Sequence, residues 1–423
     1  MTYISTFAQT CRAAVSALGR ELADWRPSSE RATFAVEAMV SVALSVALAH
    51  ALHLPNTWWA ATSGFAVAQT SLAGCVQRAG HRILGTMIGA ALGTIVGPWI
   101  GDSPWLFVPV LGLISGVSVY RANGSNAAYA WLLGAVTALI VTYEAHGLVS
   151  ARSTAAFAGL RVAEVTVGTL SCVLVSAVSH FGRRWYQKAP PSLVSGSAHE
   201  DVESRPPPAS IPAQSQESLN SRRTLLSLQG ALAIAILAAL TYALKLPGFA
   251  QAMVTTIAVL VLPATSLAGG TLRAVVERMV QRLVGCFLAG ALGVALLPLT
   301  QGQAIPCMVA LSIGVWSGSH VQTGKEGASY LGRQFTLAFI IVFVQDHHWS
   351  ADPVPALMRL SGILTGIVVL AGVMLATGRL PFSRPPEVRG SWNLEPETIE
   401  PASSRSRRSG RRNIKVPHRL DPE

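Results

Sequence analysis

Apolar residues gather along this chain in runs of roughly 15–25 positions, each long enough to cross a bilayer as a helix. They lie near 32–53, 57–74, 83–100, 105–120, 126–144 and 154–181, and again near 224–244, 249–267, 283–299, 304–320, 328–345 and 353–378. The runs are rich in Ala, Leu, Val and Gly and lack the alternation of a membrane barrel, so the pattern predicts an all-α integral membrane protein. Pro98, Pro104, Pro298, Pro306 and Pro353 sit at the breaks, where a proline costs a helix least. Ahead of the first run, Ile4, Phe7, Cys11, Val15, Leu18, Leu22 and Trp25 recur at steps of three and four. That stripe predicts an amphipathic helix within residues 1–30, lying on the membrane or packed on the protein's own cytoplasmic face. Arg12, Arg20 and Arg26 interrupt this stretch, so no cleavable signal peptide is expected.

The two sets of six runs align. TSLAG occurs at Thr70–Gly74 and at Thr265–Gly269. After it, Arg78, Arg82 and Gly85 in RAGHRILGTMIGAALG answer Arg278, Arg282 and Gly285 in RMVQRLVGCFLAGALG. Tyr129 answers Tyr330, and RVAEVTVG from Arg161 answers RLSGILTG from Arg359. Order is kept throughout, which predicts an internal duplication. Six spans return the chain to its starting side, so the expected repeats are parallel, with a pseudo-twofold axis along the membrane normal. The expected divisions are an N-terminal helix (1–30), a first transmembrane repeat (31–188), a disordered Pro/Ser-rich cytoplasmic linker (189–221), a second repeat (222–383) and a basic cytoplasmic tail (384–423).

Composition sharpens this picture. Of 423 residues, 51% are hydrophobic and 13% charged, too few charges to coat a soluble protein of this length. The net charge of +11 sits in short loops, linker and tail, with no aromatic–basic interleaving that would point to nucleic acid. With the N-terminus inside, the cytoplasmic loops hold nearly all the Arg and Lys, while the outer loops hold little beyond Arg152 and Lys245. Both termini are therefore expected in the cytoplasm. The tail cluster from Arg405 to Lys415 reads either as attraction to anionic lipid or as a solvated inside anchor. Five cysteines without a CxxC predict neither a disulfide framework nor a metal site. No P-loop, HExxH or GxSxG string appears, and no cofactor is expected.

Gly85, Gly89 and Gly93, answered by Gly285, Ala289 and Gly293, predict close helix packing. Arg161 and Arg359 fall several residues inside the last span of each repeat, where an arginine costs several kcal/mol unless it meets a cavity or a partner. Glu164 lies one turn from Arg161, and its counterpart is Gly362. Arg359, Arg161 and Glu164 are the candidate anion-binding residues, the alternative for the arginines being a reach to the outer interface. Glu37, answered by Gln229, is a candidate proton carrier or a partner for a cytoplasmic arginine. Arg82, Arg282 and Arg333 are candidates for a cytoplasmic vestibule, the first two alternatively anchoring helix ends. One enzyme-like string, HHWSAD, spaces His347 and Asp352 in an outer loop, without a companion motif.

LPNTWWAATSGFAVAQTSLAG, the RxxxRxxGTxxGxxxG string and RVAEVTVG resemble the fusaric acid resistance (FUSC) family, over roughly 30–180 and 222–380. The resemblance implies a bacterial inner-membrane secondary transporter exporting aromatic or other organic carboxylic acids, coupled to protons, with a periplasmic adaptor protein as partner and a homo-oligomer as a further possibility. Many members carry a larger soluble domain between the halves; here only the short linker stands there. The chain is also distantly similar to the plant aluminium-activated malate channels, which implies the alternative of a passive organic-anion channel lined by arginines. A membrane enzyme using His347 and Asp352 is the third reading.

Overall fold

A computed structural model describes residues 2–23, 28–101, 103–148, 150–187, 213–244, 248–269, 271–345, 349 and 351–378. The elements are α1 (Thr2–Ala23), α2 (Ser29–Ala51), α3 (Thr57–Ala66), α4 (Leu72–Ile100), α5 (Pro104–Ala122), α6 (Ala128–Gly147) and α7 (Ala151–Gln187). They continue with α8 (Ala213–Leu244), α9 (Phe249–Leu260), α10 (Ala264–Gly269), α11 (Thr271–Thr300), α12 (Ala304–Gln322), α13 (Ser329–Phe343) and α14 (Val354–Thr377). Local chemistry sets several starts. Ser28 Oγ accepts from Arg31 N–H and Ser71 Oγ from Gly74 N–H, each satisfying a helix donor that has no partner inside the helix. Pro104 opens α5 and Pro355 is the second residue of α14, positions where a missing N–H is harmless.

Among the described residues, nine helices are long and apolar enough to cross a membrane. Three of the twelve expected spans are shorter: α3 has 10 residues, α9 has 12 and α13 has 15. The expected spans 57–74 and 249–267 therefore need correcting. At 1.5 Å per residue α3 and α9 reach only about 15–18 Å, roughly half a membrane. Each ends in a backbone break whose polar groups are taken up inside the protein, as lipid requires. At α9, Asn123 Nδ2 donates to Leu260 O at 3.0 Å and its Oδ1 accepts from Leu262 N–H at 2.9 Å. Arg333 Nη2 donates to Ala66 O at the end of α3.

The next helices start early. Expected near 83 and 283, α4 and α11 begin at Leu72 and Thr271, so RAGHR and RMVQR are helical rather than loop. Polarity misled the sequence reading here, because these arginines face the protein interior. The linker also ends early: α8 starts at Ala213, directly after the last linker proline, Pro212, so residues 213–221 are helical. Linker residues 188–212, Lys245, His347 and the tail from 379 lie outside the described residues.

Packing repeats between the halves. On α4, Cβ atoms at Gly85 and Gly89 would run into the carbonyl oxygens of Ala130 and Gly134 on α6. On α11, a Cβ at Gly285 would meet Leu331 O of α13 at 2.7 Å, and Ala289 is fully buried. The small-residue stripes thus join helices within each half. Gly168 of α7 sits against Ala60 O, and Gly366 of α14 against Ala252 O. The halves exchange contacts reciprocally: α5 packs on α8, and α12 on α2. Helix α1 has the packed placement of the two open to it. Ala17 clusters with Val321 and Ala328, Arg20 pairs with Glu326 at 2.7 Å, and buried Glu21 pairs with Arg31.

Candidate functional site

Where α3 and α9 stop, a cavity of about 390 Å³ is walled by both halves of the chain. Arg78, Arg82, Arg278, Arg282, Arg333 and Arg359 all line it, and among the described residues no Asp or Glu does. Between them the wall is mostly apolar, with Trp58, Trp59, Leu132, Val136, Val254, Leu337 and Ile341, and Thr62, Gln251 and Gln334 add uncharged polar groups. An apolar pocket with a few convergent polar groups is the usual form of a small-molecule site. Here the polar groups are cationic donors, whose natural ligand is an anion with an apolar body.

The helix period brings the arginines together. Arg78 and Arg82 are four residues apart on α4, as are Arg278 and Arg282 on α11, so each pair shares one helix face. Arg82 Nη1 donates to Tyr129 Oη at 2.7 Å and Nη2 to Ser63 Oγ at 2.8 Å. Arg282 Nε donates to Thr255 Oγ1 at 3.1 Å and Nη1 to Gln334 Oε1 at 2.7 Å. Ser63 and Thr255 are themselves counterparts, 192 residues apart (255 − 63 = 192). Arg78 lies over the Tyr129 ring, and Arg278 over the Tyr330 ring. Arg278 also donates to Val261 O beyond the end of α9. Two of the six arginines, Arg278 and Arg333, thus spend donors on carbonyls at the broken helix ends. That satisfies the breaks and holds the positive charge in place.

Of the residues singled out in the sequence, Arg82, Arg282, Arg333 and Arg359 line this cavity. Arg82 and Arg282 are buried, and Arg359 Nε is buried with no hydrogen-bond partner among the described residues. Arg161 and Glu164 line a second, smaller cavity of about 180 Å³ instead. The two cavities share Trp58, Trp59, Gln251 and Val254, so the arginine of one repeat lies just beyond the tryptophan wall of the other. Arg161 sits over the Trp59 ring, and the charges of Glu164 and Glu144 act on it. Glu164 Oε1 accepts from Asn56 N–H at 2.9 Å and from Asn56 Nδ2 at 3.1 Å, holding the start of α3. Glu37 lines neither cavity; its Oε1 accepts from Ser179 Oγ at 2.5 Å and pairs with Arg183 at 3.0 Å. Asp352 Oδ1 accepts from Val354 N–H at the start of α14.

Sequence reasoning missed Arg78, Arg278, Tyr129 and Tyr330 as lining residues. It placed the arginines in cytoplasmic loops and used the tyrosines only to align the repeats. The signal was present: polar residues kept in both copies of an apolar duplication mark positions that do something other than face lipid.

Residues 31–188, the first half, match the model of the fusaric acid resistance protein family. An uncharacterized transporter, YdhK, of Salmonella typhimurium strain LT2 is 28% identical over 148 residues, 34% of this chain and 22% of that protein. YdhK of Escherichia coli K12 is 28% identical over 153 residues, 35% of this chain and 22% of that protein. The match thus spans about a fifth of the length of these curated relatives. No solved structure matches the chain.

Proposed function

We propose that this chain, whose first half matches the fusaric acid resistance protein family, is a multi-pass secondary transporter of the bacterial inner membrane that exports aromatic or other organic carboxylic acids. One observation carries the reading: six arginines and, among the described residues, no carboxylate line a cavity between the halves whose remaining wall is mostly apolar. Buried positive charge without a counter-charge is costly, and a carboxylate ligand removes that cost through charge-assisted hydrogen bonds. Apolar walls with two tryptophans suit an aromatic body. Half-length helices meeting at such a site are a recurrent feature of secondary transporters. The corresponding contacts at Ser63 and Thr255, and at Gly168 and Gly366, support two parallel repeats related by an axis along the membrane normal. Both termini belong in the cytoplasm on the distribution of positive loops. The YdhK relatives, named as transporters, are consistent with this activity rather than with an enzyme built on His347 and Asp352.

The test is efflux of a panel of aromatic carboxylates from loaded vesicles containing the full chain, with and without a proton gradient. Uphill export that needs the gradient is the expected result. Flux that follows only the anion's own electrochemical gradient would replace the transporter by a channel. No flux of any carboxylate would remove the anion reading altogether.

A further inference from the structure

Tyr129 and Tyr330 hold the same position in the two halves, and each lies under an arginine. The Arg78 guanidinium is 4.2 Å from the Tyr129 ring centre, and that of Arg278 is 5.1 Å from the Tyr330 ring centre. Their hydroxyls differ. Tyr129 Oη accepts from Arg82 Nη1 at 2.7 Å. Arg282, the counterpart of Arg82, gives its Nη1 to Gln334 Oε1 at 2.7 Å. Tyr330 Oη is left buried, with no hydrogen-bond partner among the described residues. Gln334 stands where the first half has Leu133. A single change of residue type has therefore drawn the arginine away from its tyrosine.

Arg359 lines the same cavity, and its Nε is likewise buried without a partner; its neighbour there is the Cys286 thiol. Arg78 Nε and Arg82 Nε, of residues lining the same cavity, are also buried without a partner among the described residues. A buried donor with no acceptor is unfavourable, and such donors around one cavity call for an acceptor on the ligand. We propose that Tyr330 is a specificity-determining residue of the anion site, its Oη–H donating to an oxygen of the bound carboxylate beside the Arg278 guanidinium that lies over its ring. The proposal rests on the anion-site reading and adds which end of the cavity takes the acid group. The hydroxyl, unlike a sixth or seventh charge, demands an acceptor atom at one point. It thereby rejects ligands that offer none there.

The probe is labelled benzoate, measured by equilibrium dialysis against the full chain in detergent, with thermal melting read in parallel. Tyr330→Phe should weaken benzoate binding roughly tenfold or more, the loss of a hydrogen bond to a charged group. Its melting temperature should not fall, because the hydroxyl has no protein partner to lose. Tyr129→Phe should do the reverse, lowering the melting temperature with a smaller effect on binding. Gln334→Leu restores the first-half arrangement, freeing Arg282 for Tyr330, and should weaken binding although Tyr330 is intact. Wild-type affinity in Tyr330→Phe would overturn the proposal while leaving the anion site standing. If the wild-type chain binds none of benzoate, cinnamate and 1-naphthoate, the anion-site reading itself falls, and this inference with it.

Discussion

Arg161 and Arg359 answer one another when the two halves of the sequence are aligned, and they live in different surroundings. Both sit two turns ahead of a glycine, Gly168 or Gly366, that presses its helix onto the backbone of the half-length helix beside it. Arg161 is buried over Trp59, with the charges of Glu144 and Glu164 acting on it. Arg359 looks into the large cavity; among the described residues no carboxylate pairs with it. The carboxylate is lost because Gly362 replaces Glu164, and it could not simply be restored. Already at Gly362 a Cβ would overlap the Gly248 carbonyl oxygen. Two aligned positions thus carry the same cation in different electrostatic surroundings, one near carboxylates and the other with none paired to it among the described residues.

The largest expected difference between the two is in transport. Arg359→Ala should abolish vesicle efflux of carboxylates while the protein still inserts and melts normally, since the lost group has no carboxylate partner. Arg359→Lys should retain weak flux with poorer selectivity, because an ammonium lacks the planar fork. Wild-type flux in Arg359→Ala would erase the contrast and favour a residue that merely reaches the outer interface. Arg161→Ala should act mainly on stability, by about 3 kcal/mol, because it leaves the buried Glu164 and the half-buried Glu144 without their cation. A melting curve in detergent reads this directly; equal loss of transport and no loss of stability would invert the comparison.

Gly168→Ala and Gly366→Ala sharpen it further. Each methyl meets a carbonyl oxygen of a packed helix, so each should destabilise by roughly 1–3 kcal/mol, and by similar amounts if the halves share one scaffold. A large effect in one and none in the other would count against the duplication. The smallest effect belongs to Glu37→Gln. Its partner Arg183 is half-exposed and neither cavity includes it, so stability should change by less than about 1 kcal/mol. Loss of proton-driven export with exchange intact would identify Glu37 as the coupling group despite its place outside the cavity.

Much of this was legible before folding. The apolar runs gave the membrane helices, because a bilayer admits little else. The glycine spacing pointed to close helix packing, and the structure supplied the partners, α6 for α4 and α13 for α11. The duplication gave the correspondences Arg82 with Arg282 and Tyr129 with Tyr330, since repetition inside one chain is visible without any relative. Hydropathy was blind to the ends of α3 and α9. Ala66 and Leu260 are followed by residues as apolar as those before them, and only Pro263 hinted at a break. Whether a backbone bends at mid-membrane depends on which groups satisfy its polar atoms; Asn123 and Arg333 come from distant parts of the chain, and Arg278 reaches back from α11.

By itself, then, the sequence determined the class of protein, the alignment of its two halves as sequences and the residue types that a membrane core would have to accommodate, because hydrophobic length and periodicity are local properties. Only the tertiary structure decided which arginines share a cavity and which lies near carboxylates. It also decided that the Tyr129 hydroxyl accepts from Arg82 while the Tyr330 hydroxyl has no partner among the described residues. Those outcomes turn on distances between helices far apart in sequence, and on single exchanges such as Leu133 for Gln334 that redirect a hydrogen bond without disturbing the helix that carries it.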